Sequence, residues 1–356
     1  MSNWKKLAIF GSSALLLAAC GNGADEGSED TDGEEAGEEE VADEDSFKIA
    51  MVTDTGGVND RSFNQSAWEG MNEWAEETGL GEDAIRYYQS DSEDQYLTNF
   101  NTATTDGYDV IYGIGFLLKD PIETVAQQNP ERMYGLVDEV SDLDNVVSLN
   151  FRDNENSFLA GMAAALTTET NKVGFLGGIE GPVIDRFQTG FVEGVKHVDD
   201  SIEIDIQYAD SFSDAAVGQQ IAAAMYQNGA DVIFHAAGAV GNGAFQEARN
   251  RMEDGSDREL WVIGVDRDQE EEGVWDGGNV TLASTVKNVG TAIKLSANET
   301  MDGNFPGGEN LSYGFEDDGI DFTKGHIADD AWEKIEEARQ QIIDGEIEVS
   351  EFTYSN

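Results

Sequence analysis

The stretch FKIAMVTDTGGVNDRSFNQSAWEG, residues 47–70, runs from a continuous apolar segment through a glycine-bearing turn into an amphipathic helical pattern. Residues 47–53 read as a strand covered on both faces, and 63–78 as the helix that follows it. A glycine turn between strand and helix ordinarily cradles phosphate on backbone N–H groups. This turn carries Asp54 and Asp60, whose charges oppose a phosphate. The fold signal is therefore a βα unit, while the ligand it holds is left open.

The same rhythm continues along the chain. Strand-like runs occur at 84–89, 108–114, 132–137, 146–151, 172–178, 202–209, 231–237, 260–265 and 280–285. Helical patterns occur at 155–169, 184–197, 214–228 and 241–254. Alternating strands and helices predict parallel sheets with right-handed crossovers. The rhythm restarts near 172, which predicts two similar α/β lobes. The first spans 47–150 with a return segment at about 283–303, and the second spans 151–282 with about 304–356.

In such sheets a ligand sits beyond the carboxyl ends of the strands. Those ends carry Asp54-Thr55-Gly56-Gly57, Gly115-Phe116, Asp138, Asp210-Ser211-Phe212, Gly238-Ala239-Val240-Gly241, Asp266 to Gln269, and Lys287. There is no Ser-His-Asp order, no HExxH and no GxxxxGK[ST]. His197, His235 and His326 lack metal-ligand spacing, and His235, inside an apolar run, reads as a core residue. The acids at 54, 60, 138, 266 and 268 suit a hard cation, acid–base work, or hydrogen bonds from hydroxyl and ring N–H groups. A carboxylate accepting two hydrogen bonds side by side matches a vicinal diol or a purine N–H edge. Phe63 and Phe212 read either as core packing or as two sides of a clamp on a flat ring. Lys287 stands out because bases are scarce.

The chain has 73 acids against 20 bases, a formal charge of −53 and a pI near 4.1. Such a field excludes nucleic acid and anionic membrane surfaces as partners. It reads as a hydrated surface adapted to salt or alkali; metal storage or attraction of a cationic ligand is the alternative. The N-terminus, MSNWKKLAIFGSSALLLAAC, has two lysines and an apolar run too short for an ordinary membrane span. Leu17-Ala18-Ala19-Cys20 resembles the lipobox of bacterial lipoproteins. Residues 1–19 then form a signal peptide, and acyl chains on Cys20 hold the mature chain at the outer face of the cell membrane. A plain signal peptide with an incidental cysteine is the other reading. Cys20 is the only cysteine, so no disulfide framework exists. Residues 21–46 hold thirteen acids and no bases, the composition of a disordered tether. The remaining 60 acids and 18 bases of 47–356 leave the folded body acidic too.

The stretch 54–70 resembles the opening signature of the basic membrane protein family, substrate-binding lipoproteins of ATP-driven importers similar to the purine nucleoside receptors. The resemblance continues through FRDNENSFLAGMAAAL (151–166), KVGFLGGIEGPVIDRFQTGFVEGVK (172–196), DVIFHAAGAVGNG (231–243) and WVIGVDRDQ (261–269). It implies two Rossmann-like lobes joined by a hinge, of the type I periplasmic-binding-protein kind, with the ligand in the cleft. By that resemblance Phe63 and Phe212 stack on the base, and Asp54, Asn64 and Asp138 bind its polar edges. Asp266 accepts from the ribose hydroxyls, Gly238 allows close backbone approach, and Lys287 donates. The chain departs from the family pattern at Asn154 and at Val240.

The resemblance implies a monomeric, non-enzymatic receptor for purine nucleosides that needs no cofactor or metal and delivers its ligand to permease subunits of an ABC importer. Three alternatives stay open on the residues alone: a sugar- or signal-binding protein on the same fold, a nucleoside hydrolase, and a purely adhesive or structural lipoprotein.

Overall fold

The structure, a computed structural model, describes residues 46–352. The expected signal peptide, Cys20 and nearly all of the acidic tether lie outside the described residues. The chain opens with β1 (Ile49–Thr53) and α1 (Phe63–Thr78), then β2 (Ile85–Tyr88), α2 (Tyr96–Asp106), β3 (Val110–Ile114), α3 (Lys119–Gln128), β4 (Met133–Val137) and β5 (Val146–Phe151). Helix α4 (Asp153–Thr167) leads into β6 (Lys172–Gly177), α5 (Pro182–Val198), β7 (Glu203–Tyr208), α6 (Ala215–Gln227), β8 (Val232–Ala236), α7 (Gly241–Glu253) and β9 (Trp261–Gly264). A small hairpin, β10 (Val274–Trp275) and β11 (Gly278–Asn279), precedes β12 (Thr281–Lys287). The remaining elements are α8 (Val289–Met301), β13 (Asn310–Tyr313), β14 (Ile320–Phe322) and α9 (Asp329–Ile343).

These strands build two six-stranded sheets, in the orders β13-β5-β4-β3-β1-β2 and β14-β12-β9-β8-β6-β7. Every pairing in the first sheet is parallel, and in the second only β14 runs antiparallel to its neighbour β12. Apolar side chains fill both faces of each sheet, which is why β1, β3 and β8 are buried along their whole length and mostly apolar rather than alternating. In each sheet the first strand of the lobe lies between the second and third. The two topological switch points therefore fall at β1/β3 and β6/β8, and both open toward the same cleft.

The return to the first lobe differs from the expected 283–303. Strand β12 runs to Lys287 inside the second sheet, and the returning elements are α8, packed on α1, and β13, paired with β5. The α1–α8 contact is close because Gly70 meets Gly290, where a Cβ on Gly70 would lie 2.1 Å from the Gly290 Cα. Strand β14 and helix α9 then rejoin the second lobe. The chain thus passes between the lobes at 151–153, 287–289 and 313–320.

Candidate functional site

A cleft between the lobes, with about 540 Å³ of empty space counting its open mouth, is lined by Asp54, Phe63, Asn64, Asp138, Phe212, Gly238, Asp266 and Lys287, all eight residues singled out in the sequence. The first lobe brings Asp54 from the end of β1, Phe63 and Asn64 from the start of α1, and Asp138 from the end of β4. The second brings Phe212 after β7, Gly238 after β8, Asp266 after β9 and Lys287 from the last position of β12. Asp138 and Asp266 each turn left-handed, at φ 69° in both cases, which bends the chain sharply off the sheet in both lobes.

The turn at 54–62 is organised around its carboxylates. Asp54 Oδ1 accepts from the Gly56 N–H and the Asn64 amide, both at 2.8 Å. Asp60 accepts from the backbone N–H groups of Ser62, Asn64 and Gln65 and from the Asn64 amide, at 2.9 to 3.1 Å. Asp60 therefore caps α1, satisfying donors that the helix start leaves over. With both oxygens occupied by these four donors, it is not presented to a calcium ion. Asn64 uses its amide hydrogens to hold the two acids together, and its buried Oδ1 has no hydrogen-bond partner among the described residues. That acceptor belongs to a residue lining the cavity.

Lys287 is the electrostatic centre. Its Nζ lies 2.9 and 2.7 Å from the two Asp138 oxygens and 3.2 Å from Asp153 Oδ1. The rings of Phe63, Phe151 and Phe187 stand 5.1 to 5.3 Å from the same nitrogen, within cation–π reach. Burial works against its charge, but Asp138, Asp153 and Asp266 together outweigh burial and raise its pKa. Burial likewise pushes Asp54 up to about 6 and Asp266 up to about 7, and it raises Asp60. Asp266 accepts a short hydrogen bond from Ser62 Oγ, a contact that spans the cleft.

The apolar walls come from both lobes. Phe116 and Phe212 meet edge to face with centroids 6.0 Å apart, and Val183, Ile184 and Phe187 on α5 complete the floor. Gly238 sits at φ 55°, and a Cβ there would come within 3.2 Å of the Phe212 carbonyl oxygen. Sequence reasoning placed Phe116 at a strand end but assigned it no role, and it passed over Ser62, Asp153 and the α5 residues. The α5 positions repeat at helical spacing, a signal that core packing gives equally well. Asn154 and Val240, where the chain departs from the family pattern, are buried away from the cavity lining, and Asn154 instead donates to the Val349 carbonyl.

Residues 47–353 match the family model described as "ABC transporter substrate-binding protein PnrA-like". The chain is 48% identical over 355 residues to "CD4+ T-cell-stimulating antigen" of Listeria innocua, covering 97% of both. It is 47% identical over 312 residues to "ABC transporter nucleoside-binding protein BmpA" of Lactococcus lactis, covering 85% of this chain and 89% of that one. Among solved structures it superposes on an ABC transporter solute-binding protein from Aeropyrum pernix with a TM-score of 0.76 at 27% identity, over 85% of this chain and 93% of that one. With the family model covering the whole described body, the chain belongs to the PnrA-like substrate-binding proteins of ABC transporters.

Proposed function

We propose that the chain captures a purine nucleoside between its lobes and delivers it to an ABC permease, anchored at the outer face of the cell membrane by acyl chains on Cys20. The observation that carries this reading is the composition of the cleft: aromatic rings from both lobes face a space whose polar lining is Asp54, Asp60, Asn64, Asp138, Asp266 and Lys287. Rings on both sides suit a flat base. Carboxylate acceptors suit hydroxyl and N–H donors, and their charge disfavours a phosphorylated ligand. The relative named as a nucleoside-binding protein supports the same ligand class.

In this reading Phe63 and Phe212 bracket the base, and Asp54, Asn64 and Asp138 meet its polar edge. The free Asn64 Oδ1 supplies an acceptor for a base N–H. Asp266 accepts from the ribose diol and Lys287 donates nearby, while Gly238 lets the backbone come close. No covalent step is involved: the lobes close, water leaves, and the buried hydrogen bonds supply discrimination. Calorimetric titration with inosine, guanosine, adenosine, a pyrimidine nucleoside, ribose and hypoxanthine tests it. Tight binding of a purine nucleoside, with ribose and free base far weaker, is expected; tight binding of a pentose and of no nucleoside would overturn it.

A further inference from the structure

Gln269, five residues after β9, is buried and reaches the first lobe by a single bond. Its Oε1 accepts from the Val265 N–H at 2.9 Å and lies 3.0 Å from His235 Nε2, and its Nε2 donates to the Arg61 carbonyl at 3.0 Å. The amide cannot be turned round, because the Val265 N–H requires an oxygen and the Arg61 carbonyl requires a donor. His235 must then carry its proton on Nε2. Its ring is fixed by the edge contact with Phe245, centroids 5.6 Å apart, and by Gly241, where a Cβ would fall 2.1 Å from it. The Gln269 backbone N–H donates to Ser284 Oγ at 3.0 Å, so the whole donor is built into the second sheet.

The acceptor is equally prepared. Arg61 adopts φ 60°, which aligns three consecutive residues against the other lobe. The Asp60 carbonyl accepts from Asn242 Nδ2 at 3.0 Å, Arg61 is held through its carbonyl and by Glu272 at 2.6 Å, and Ser62 donates to Asp266. These residues immediately precede Phe63 and Asn64. We propose that Gln269, aimed by His235, latches the 60–62 turn of the first lobe onto the second lobe and sets how long a ligand stays in the closed cleft. Gln269 does not line the cavity, so it is a positioning residue. The residence-time half of this inference rests on the proposed nucleoside site; the latch itself does not.

Gln269→Glu tests it, because the substitution keeps both acceptor contacts and replaces the cross-lobe donor with an oxygen facing an oxygen. Inosine release, followed by stopped flow on the full chain, is expected to be ~10-fold faster with association within about twofold of wild type. Hydrogen exchange of residues 56–64 is expected to rise while β8 and β9 keep their protection. Asn242→Ala, which removes the donor to the Asp60 carbonyl, should shift both readouts in the same direction by less, and it serves if the Gln269 variant folds poorly. Unchanged release in both variants together with unchanged exchange at 56–64 would overturn the latch. So would a lowered melting temperature with no change in the exchange of that turn. If inosine does not bind at all, the nucleoside reading fails, and exchange in the unliganded protein still decides the latch.

Discussion

Asp138 and Lys287, 149 residues apart, form a bidentate ion pair in which the Lys287 Nζ also reaches Asp153 at the first residue of α4. One cation thus joins the end of β4 in the first lobe, the last residue of β12 in the second, and the first crossing between lobes. Removing it leaves buried Asp138 without its cation and buried Asp153 with Arg186, 3.7 Å away, in its place. Lys287→Met is expected to cost ~3–5 kcal/mol of folding free energy, measured by denaturant unfolding. Adding Asp138→Asn should recover part of that loss. A midpoint unchanged in Lys287→Met would show that the two carboxylates do not depend on this charge.

Asn64 holds Asp54 and Asp60 in one turn by donating to both from a single amide. In Asn64→Asp a third carboxylate would face the other two with no donor between them. The expected cost is ~2–4 kcal/mol at pH 8, shrinking on acidification to pH 5.5 as the trio takes up protons. Melting curves at the two pH values check this, and a deficit that stays constant would contradict the shared-amide account.

The alternation of strands and helices was legible because each buried strand is a continuous apolar run bounded by turn residues. β1, β5 and α1 lie where the runs at 47–53, 146–151 and 63–78 put them, within two residues. β13 and β14 were not legible: both are short edge strands, and NLSY carries no apolar run. Without β13 the return segment could only be guessed. The strand-end rule brought Asp54, Asp138, Phe212, Gly238, Asp266 and Lys287 to attention one by one, since each lies at or soon after the end of a strand, whereas Asn64, in the first turn of α1, entered only through the family resemblance. What linear order does not carry is pairing across the cleft. Asp60 looked like a ligand acid and is a helix cap, while Ser62 and Gln269 acquire meaning only once the second lobe lies against the first.

The two proposed base-stacking rings predict separable losses. Phe63→Ala and Phe212→Ala should each weaken purine nucleoside binding by about 1–3 kcal/mol, roughly 5- to 150-fold in Kd, with the fold retained. Gly238→Ala should also weaken binding, because its Cβ presses on the Phe212 backbone at a φ that favours glycine. Calorimetry against the preferred nucleoside reads all three. If both phenylalanine variants bind as wild type does, the base does not lie between these rings.

Stability and binding should respond to pH in opposite directions. Burial raises Asp54 to about 6, Asp266 to about 7 and Glu155 to about 7. Each group holds its proton more tightly folded than unfolded, so between about pH 4 and pH 7 the folded chain carries the extra protons. Their stabilising contribution is full below pH 4 and is lost as pH rises through 6 to 7, so the melting temperature should climb as pH falls from 8 to 5.5. Loss of self-repulsion in an acidic body acts in the same direction. Ligand hydroxyl and N–H donors need the ionised acceptors at Asp54 and Asp266, so affinity should fall by ~10-fold over the same range, with proton release on binding near pH 7. Asp266→Asn should flatten much of the pH dependence of Kd while weakening binding at pH 8. Titrations in two buffers of different ionisation enthalpy measure the released protons, and an affinity that rises with acidification would mean that Asp266 meets its ligand as a donor.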